Sequence, residues 1–227
     1  FNTETLLLND QSIALNSSET NYNFVEDAYT YIDHYWKGTD QDDLLIYKGG
    51  NDTINGKKGS DVLSINANYS EINIITFESL GANYITIGDT TIRSFNTETL
   101  LLNDQSIALN SSETNYNFVE DPYTYIDHYW EGTNQDDLLI YKGGDDTING
   151  KNGNDILSIN AKSSQVNINT FESLGVHDIT FGDTTIRSFN TETLLLIDQS
   201  ITLNSSETNY NFVEDAYTYI DHYWKGT

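Results

Sequence analysis

The stretch that decides the fold is "GTDQDDLLIYKGGNDTINGKKGSDVLS", which runs from Gly38 to Ser64. It divides into three segments of nine residues, and each has Asp at its sixth position and a branched apolar residue at its eighth. The pattern returns in "GTNQDDLLIYKGGDDTINGKNGNDILS", from Gly132 to Ser158. An irregular loop would not keep this count, so the two blocks predict a repeating backbone structure.

The nonapeptides lie inside a longer repeat. The octapeptide "FNTETLLL" begins at Phe1, Phe95 and Phe189, a spacing of 94 residues each time. Residues 1–94 and 95–188 differ at only 16 positions, without insertion or deletion. This spacing predicts an array of like units, a form that serves reach or display, and we therefore expect no enzymatic activity. The chain begins and stops inside the pattern, so we expect it to be a segment of a longer protein.

The nonapeptides resemble the G-G-x-G-x-D-x-U-x repeats of the RTX (repeats-in-toxin) family, which form a calcium-binding parallel β-roll. The third nonapeptide matches well, with Gly56, Gly59 and Asp61 in place, whereas Tyr47 and Gln41 stand where the motif has glycine. The resemblance implies an all-β chain in which calcium-binding β-roll or β-solenoid blocks alternate with further β-strand segments.

In such a roll, six residues form a turn and three form a short strand, so two nonapeptides complete one coil. Turn glycines tolerate positive φ and let backbone carbonyls approach an ion. The eighth residue of each nonapeptide points inward and fills a narrow core. These inward residues are Leu45, Ile54, Leu63, Leu139, Ile148 and Leu157.

Turns on one edge of the roll are then two nonapeptides apart, which stacks Asp43 with Asp61 and Asp137 with Asp155. Carboxylate and carbonyl oxygens are the ligands that Ca²⁺ takes in proteins. The resemblance therefore implies that each pair binds Ca²⁺, together with carbonyls from the first and third turn residues. Those turn residues are Gly38, Asp40, Gly56, Lys58, Gly132, Asn134, Gly150 and Asn152.

Asp52 and Asp146 fall on the opposite edge, where the residues two nonapeptides away do not continue the motif. We expect incomplete calcium sites there. Further oxygens are available from Asp40, Asp42, Asp136 and Asp145. The alternative is that all these Asp side chains stabilise turns through Asx hydrogen bonds.

The rest of the chain alternates apolar and polar residues in short runs, which predicts strands, and "TFESLG" (Thr76–Gly81) predicts a single helical turn. The strands either continue the solenoid or cap short rolls, whose ends would otherwise be open sheet edges. The predicted division is a strand flank at 1–37, roll blocks at 38–66 and 132–160, and strand spacers at 67–131 and 161–227.

The "DHYW" cluster at Asp33–Trp36 recurs at 127–130 and 221–224. We expect this strand to pack on the first coil with His34 at its edge, rather than to form an acid–base or metal site. The tyrosines in and before this cluster offer a second possibility, an aromatic strip that binds surface glycans. They are Tyr22, Tyr29, Tyr31 and Tyr35.

The chain carries 35 acidic and 10 basic residues, a net charge of −25. Like charge disfavours nucleic acid and anionic membrane surfaces as partners and favours cations. No apolar run approaches the roughly 18 residues that cross a bilayer, so we expect no membrane insertion. There is no Cys, so neither disulfides nor thiolate zinc sites can stabilise the fold.

Together these features predict a calcium-rigidified spacer or fibre in a bacterial adhesin or surface protein. The RTX resemblance further implies secretion from a Gram-negative bacterium by a type I system. Copies of the chain are possible partners in a filament or surface layer. The alternative is a secretion and folding module for an enzyme or toxin domain elsewhere in the same protein.

Overall fold

The computed structural model describes residues 5–8, 11–14, 22–30, 33–109, 113–123 and 127–203, with the backbone alone for the first two ranges. The chain divides into two compact units, Phe1–Thr114 and Asn115–Thr227. Regular structure in the described residues consists of β-strands and four single-turn 3-10 helices. The chain is therefore all-β, as the sequence predicts.

The first unit contains twelve strands among its described residues. They are β1 (Thr5–Leu8), β2 (Gln11–Ala14), β3 (Asn23–Glu26), β4 (Tyr35–Lys37), β5 (Asp43–Ile46), β6 (Thr53–Asn55), β7 (Val62–Ser64), β8 (Ile72–Phe77), β9 (Ala82–Ile87), β10 (Thr90–Phe95), β11 (Thr99–Leu101) and β12 (Ser106–Ala108). Strands β1 and β2 form an antiparallel hairpin. The other ten make two five-stranded sheets.

Successive strands alternate between the two sheets and stack in parallel, which is the geometry of a β-roll. One sheet stacks β3, β5, β7 and β11, and the other stacks β4, β6 and β10. Leu44 pairs with Val62 and Tyr35 with Thr53, so one coil takes two nonapeptides, as the sequence period predicts.

The nine-residue period ends after β7. Strand β6 is followed in its sheet by β10, with Thr53 beside Arg93, a step more than twice as long as a regular coil. Strands β8 and β9 occupy the interval: β8 pairs antiparallel with β9, and β9 pairs antiparallel with β10. Both expected arrangements therefore occur: β3, β4, β10 and β11 extend the roll, and the antiparallel strands β8, β9 and β12 close its far side.

The core lies between the two sheets. Leu45, Ile54 and Leu63 are fully buried, as predicted for the eighth nonapeptide residues. They pack with Ile92 and Leu100 from the two later strands of the roll. Burial of these branched side chains is the main favourable term for so short a set of strands. Glu78–Leu80 forms the expected single helical turn.

The second unit repeats this topology with its own ten described strands. They are β13 (Asn117–Glu120), β14 (Tyr129–Glu131), β15 (Asp137–Ile140), β16 (Thr147–Asn149), β17 (Ile156–Ser158), β18 (Val166–Phe171), β19 (Val176–Phe181), β20 (Thr184–Phe189), β21 (Thr193–Leu195) and β22 (Ser200–Thr202). Leu139, Ile148 and Leu157 are fully buried in its core. The same sequence pattern has therefore folded twice into the same roll.

Candidate metal sites on the two edges of the roll

The two edges of the first roll carry different polar side chains. We call the turns 38–43 and 56–61, together with 96–98, the Asp61 edge. We call Asp27, His34 and the turn 47–52 the His34 edge. The corresponding edges of the second roll, 94 residues later, are the Asp155 edge and the His128 edge.

On the Asp61 edge, Asp43 and Asp61 lie on adjacent coils and are both fully buried. The backbone N–H of Asp43 donates to Oδ1 of Asp61 at 2.9 Å, and the backbone N–H of Asp61 donates to Oε2 of Glu98 at 2.6 Å. Three acidic side chains therefore form one column across three coils. Asp137, Asp155 and Glu192 form the same column in the second roll.

The carboxylates of Asp43 and Asp61 differ in their hydrogen-bond partners. Oδ2 of Asp43 accepts the backbone N–H of Thr39 at 2.6 Å, inside its own turn. At the equivalent position in the next turn, Lys57 has φ 73° and its N–H turns away to Oδ1 of Asn55. Oδ2 of Asp61 is consequently buried without a hydrogen-bond partner among the described residues, and Oδ2 of Asp155 repeats this state.

Backbone carbonyl oxygens lie beside these carboxylates. A Cβ placed on Gly56 would meet the carbonyl oxygen of Asn96 at 2.0 Å and Oδ2 of Asp61 at 2.4 Å. A Cβ on Gly38 would meet Oδ2 of Asp43 at 2.5 Å and the carbonyl oxygen of Gly56 at 2.7 Å. Only glycine leaves room for each carbonyl and carboxylate to face the same Cα, and together they form an oxygen-rich lining that suits a hard cation.

The electrostatics of this edge disfavour ionisation in the absence of a cation. Burial raises the pKa of Asp61 to about 7, and the nearby charges of Glu98, Asp43 and Asp42 add to that rise. The hydrogen bond from the backbone of Asp43 acts in the opposite direction. The pKa of Asp155 rises to about 8, again with burial as the largest cause. A cation beside either carboxylate would remove this penalty.

Glu98 and Glu192 are the members of the column that the nonapeptide count did not reach. Glu98 lies 37 residues after Asp61, beyond the β8–β9 insertion. It does share the local spacing of the motif, because the inward-facing Leu100 follows it two residues later, as Leu63 follows Asp61. A search for any acidic residue two positions before a buried apolar residue would have found it.

The turn residues named with the calcium pairs separate into two groups. Gly38, Gly56, Gly132 and Gly150 are buried beside the carboxylates, whereas Asp40, Lys58, Asn134 and Asn152 are exposed. Other turn carboxylates, outside the column of Asp43, Asp61 and Glu98, form a second set of hydrogen bonds between coils. Asp42 accepts the backbone N–H of Ser60 at 2.9 Å, and Asp136 accepts that of Asn154 at 2.9 Å. These carboxylates stabilise adjacent turns as Asx acceptors do.

On the His34 edge, Asp52 meets a different set of partners. Its Oδ1 lies 3.3 Å from Nδ1 of His34, while Nε2 of the same ring lies 3.4 Å from Oδ1 of Asp27. Both carboxylates are fully buried. His34 stands two nonapeptides before Asp52, one coil back, so the stacking rule of the roll brings the two side chains together.

Backbone and indole donors fix the carboxylates of this cluster. Asp52 accepts the backbone N–H of His34 at 3.2 Å and the indole N–H of Trp36 at 2.9 Å. Asp27 accepts the backbone N–H groups of Tyr29 at 2.9 Å and Lys48 at 3.2 Å. Burial raises the pKa of Asp52 to about 6, although the bond from Trp36 and the nearby His34 act to lower it.

The second roll repeats the cluster. Nε2 of His128 lies 3.4 Å from Asp121 and Nδ1 lies 3.2 Å from Asp146. In each roll, one ligand atom from each of the three residues lies within 4.8 Å of the others. The "DHYW" strand thus packs on the first coil as predicted, through Trp36, but its histidine sits between two carboxylates.

The tyrosines considered for glycan binding differ in their exposure to solvent. Tyr29 is 53% exposed and makes an edge-on ring contact with His34, with the centroids 5.0 Å apart. Tyr22 and Tyr35 are partly buried. Tyr31 lies outside the described residues.

Comparison with solved structures gives a likeness at low similarity. No protein-family model and no curated protein matches the chain. The solved structure of the extracellular lipase LipA from Serratia marcescens aligns with 75% of this chain, at 10% sequence identity and a TM-score of 0.26. The chain spans 38% of the length of that lipase. The assignment as a β-roll rests on the strand pairing described above. In the described part of the chain, no helix is both long and apolar enough to cross a membrane.

Proposed function

We propose that this chain is a calcium-binding structural repeat region of an extracellular protein, in which Ca²⁺ stiffens the rolls into a spacer or fibre without catalytic activity. The observation that carries the proposal is the buried Oδ2 of Asp61, which has no partner among the described residues and recurs at Asp155. A buried carboxylate oxygen without a donor is costly, and a bound cation would offset that cost.

The donor set supports Ca²⁺ in particular. Carboxylate oxygens of Asp43 and Asp61 lie beside the carbonyl oxygens of Gly56 and Asn96, and Ca²⁺ takes all-oxygen sites of flexible geometry. Nothing in this lining offers the nitrogen or sulfur ligands that favour transition metals. The net charge of −25 adds a general attraction for divalent cations.

Calcium binding would also couple to folding. Without the ion, the stacked carboxylates repel one another and must either take up protons or stay apart. An ion that binds only the folded roll adds its binding free energy to the stability of the fold. A chain of this kind would stay extended where calcium is scarce and become rigid where it is abundant, which suits a surface spacer.

A calcium titration of the 227-residue chain, followed by circular dichroism and isothermal calorimetry, tests the proposal. We expect β-structure to form or gain stability on adding Ca²⁺, and we expect this response to be lost in the double variant Asp61→Asn, Asp155→Asn. The matched control is Asp89→Asn, Asp183→Asn, which removes two charges from exposed turns and should respond as the parent does. Unchanged stability of the parent in excess chelator and in excess Ca²⁺ would refute the proposal.

A further inference from the structure

The His34 edge carries a cluster whose chemistry differs from that of the Asp61 edge. It combines two carboxylates with one imidazole, where the Asp61 edge offers oxygen alone. Both carboxylates are fully buried, and the side chain of His34 is 13% exposed. Two buried carboxylates therefore face a single imidazole ring, a set of groups that a further cation would balance.

The distances within the cluster are long for simple ion pairs. Charge-assisted N–H···O⁻ bonds are usually about 2.7–2.9 Å long. The four His–Asp separations in the two rolls are 3.4, 3.3, 3.4 and 3.2 Å. Two ligands bound to one tetrahedral Zn²⁺ stand about 3.3 Å apart, given metal–ligand bonds of about 2.0–2.1 Å. Each separation is therefore one that a nitrogen and an oxygen bound to the same ion can have. The two aspartates face different nitrogens of the ring, Nδ1 and Nε2, and one ring nitrogen with one oxygen of each aspartate lies within 4.8 Å of the others.

The carboxylates are also held as metal ligands commonly are. Each carboxylate of the first roll accepts two N–H donors, from Trp36 and His34 for Asp52 and from Tyr29 and Lys48 for Asp27. A carboxylate has about four lone-pair positions, so two remain on each group. Outer hydrogen bonds of this kind orient the ligands of a metal site.

We propose that each His–Asp–Asp cluster binds a transition-metal ion of the Zn²⁺ class, through one ring nitrogen of the histidine and oxygens of its two aspartates. The sites are Asp27, His34 and Asp52 in the first roll and Asp121, His128 and Asp146 in the second. Imidazole with carboxylate suits Zn²⁺ and its neighbours, whereas Ca²⁺ takes oxygen ligands. The two edges of one roll then select different ions, and neither site depends on occupation of the other.

Zinc binding is measured by calorimetry on the 227-residue chain in excess Ca²⁺, which fills any all-oxygen site first. The parent for this test carries His222→Asn, which removes the histidine outside the described residues. We expect two Zn²⁺ per chain, one after His34→Asn or His128→Asn alone, and none after both. His177→Asn is the matched control, because it removes a buried histidine elsewhere and restores the residue that the first repeat has at position 83. This control should still bind two ions.

A second measurement uses the parent alone, so its result does not depend on whether the variants fold. Co²⁺ added to the parent should shift the ring-proton NMR signals of two histidines paramagnetically, in the presence of excess Ca²⁺. Absence of saturable Zn²⁺ binding and of shifted imidazole signals in the parent would overturn the proposal. So would two retained ions in the folded His34→Asn, His128→Asn chain, which would leave His34 and His128 as structural partners of their aspartates only.

Discussion

The backbone N–H of Asp43 donates to the side-chain carboxylate of Asp61, one coil later, at 2.9 Å. This bond links two consecutive coils through a residue that the motif supplies once per coil on this edge. The same bond joins Asp137 to Asp155 in the second roll. Stacking of the coils and placement of the carboxylates are thus one and the same feature, and substitutions on this edge should affect folding and ion binding together.

Gly56→Ala should destabilise the first roll strongly. Its Cβ would meet the backbone oxygen of Asn96 at 2.0 Å, and neither that oxygen nor the buried Asp61 can retreat without separating the coils. Overpacking of this kind costs about 1–3 kcal/mol and more where backbone must move. Urea unfolding of the variant measures the cost. Gly88→Ala is the control: it has φ 58° but no atom within 4 Å, so we expect only the cost of its left-handed backbone, about 1–2 kcal/mol.

Leu63→Ala should lower the free energy of unfolding by about 2–5 kcal/mol, because Leu63 is fully buried between the sheets. Leu174→Ala in the second roll should change it by no more than about 0.5 kcal/mol, since that side chain is 49% exposed. Equal effects of the two substitutions in urea would contradict the placement of the core.

Trp36→Phe should cost about 1–3 kcal/mol, because it removes the indole N–H that Oδ2 of Asp52 accepts at 2.9 Å inside the roll. The combined variant Trp36→Phe, Asp52→Asn should lose less than the sum of the two single changes, because the two groups act as a pair. A double-mutant cycle from urea unfolding gives this coupling. Strict additivity would show that the bond contributes nothing.

In excess chelator, the free energy of unfolding should fall as pH rises. Asp61 and Asp155 have pKa values of about 7 and 8 in the folded chain, against 3.8 for an ordinary Asp, so the folded state binds more protons than the unfolded state between those limits. Their contribution is complete below pH 3.8 and is lost as pH rises to about 8. His177, whose pKa is lowered by burial, acts in the opposite direction.

Urea midpoints at about pH 5.5 and about pH 8.5 test this dependence. We expect the lower midpoint at the higher pH, and a flatter profile in Asp61→Asn, Asp155→Asn, because amides do not titrate. A midpoint that rises with pH in the metal-free parent would contradict the burial of these carboxylates. Removing His177 through His177→Asn should steepen the fall.

The nonapeptide period was sufficient to predict the coil. Glycine, aspartate and apolar residues recur where a roll needs a turn, a stacked acceptor and an inward side chain, so register and core followed for Leu45, Ile54 and Leu63. This worked because each residue's neighbours are set by a fixed number of residues per coil. Because of this regularity, a short stretch of sequence predicts the contacts between neighbouring coils.

The same period failed where the chain leaves the roll. After β7, strands β8 and β9 intervene. Strands β10 and β11 then return to the stack, but no glycine-rich turn before them predicts this from the sequence. Glu98 was missed for that reason. His34 was predicted to be an edge residue, and an acid–base or metal role was set aside. A partner for Asp52 was expected to be another motif aspartate, whereas stacking needs only a polar side chain one coil away.

The β8–β9 hairpin has a consequence for how such an array can change. It lies between β6 and β10 in the sequence but beyond β10 in the sheet, so Thr53 and Arg93 still pair as neighbours. Of the 16 positions at which residues 1–94 and 95–188 differ, nine fall between 68 and 87, the segment that contains the hairpin. Sequence change within the repeat is therefore concentrated in strands that pair beyond the stack, although Ile85 of this hairpin is fully buried in the core. Another hairpin placed between Ala67 and Gly88, with the buried Ile85 retained, should change the exposed residues of one repeat and leave the pairing of Thr53 with Arg93 as it is.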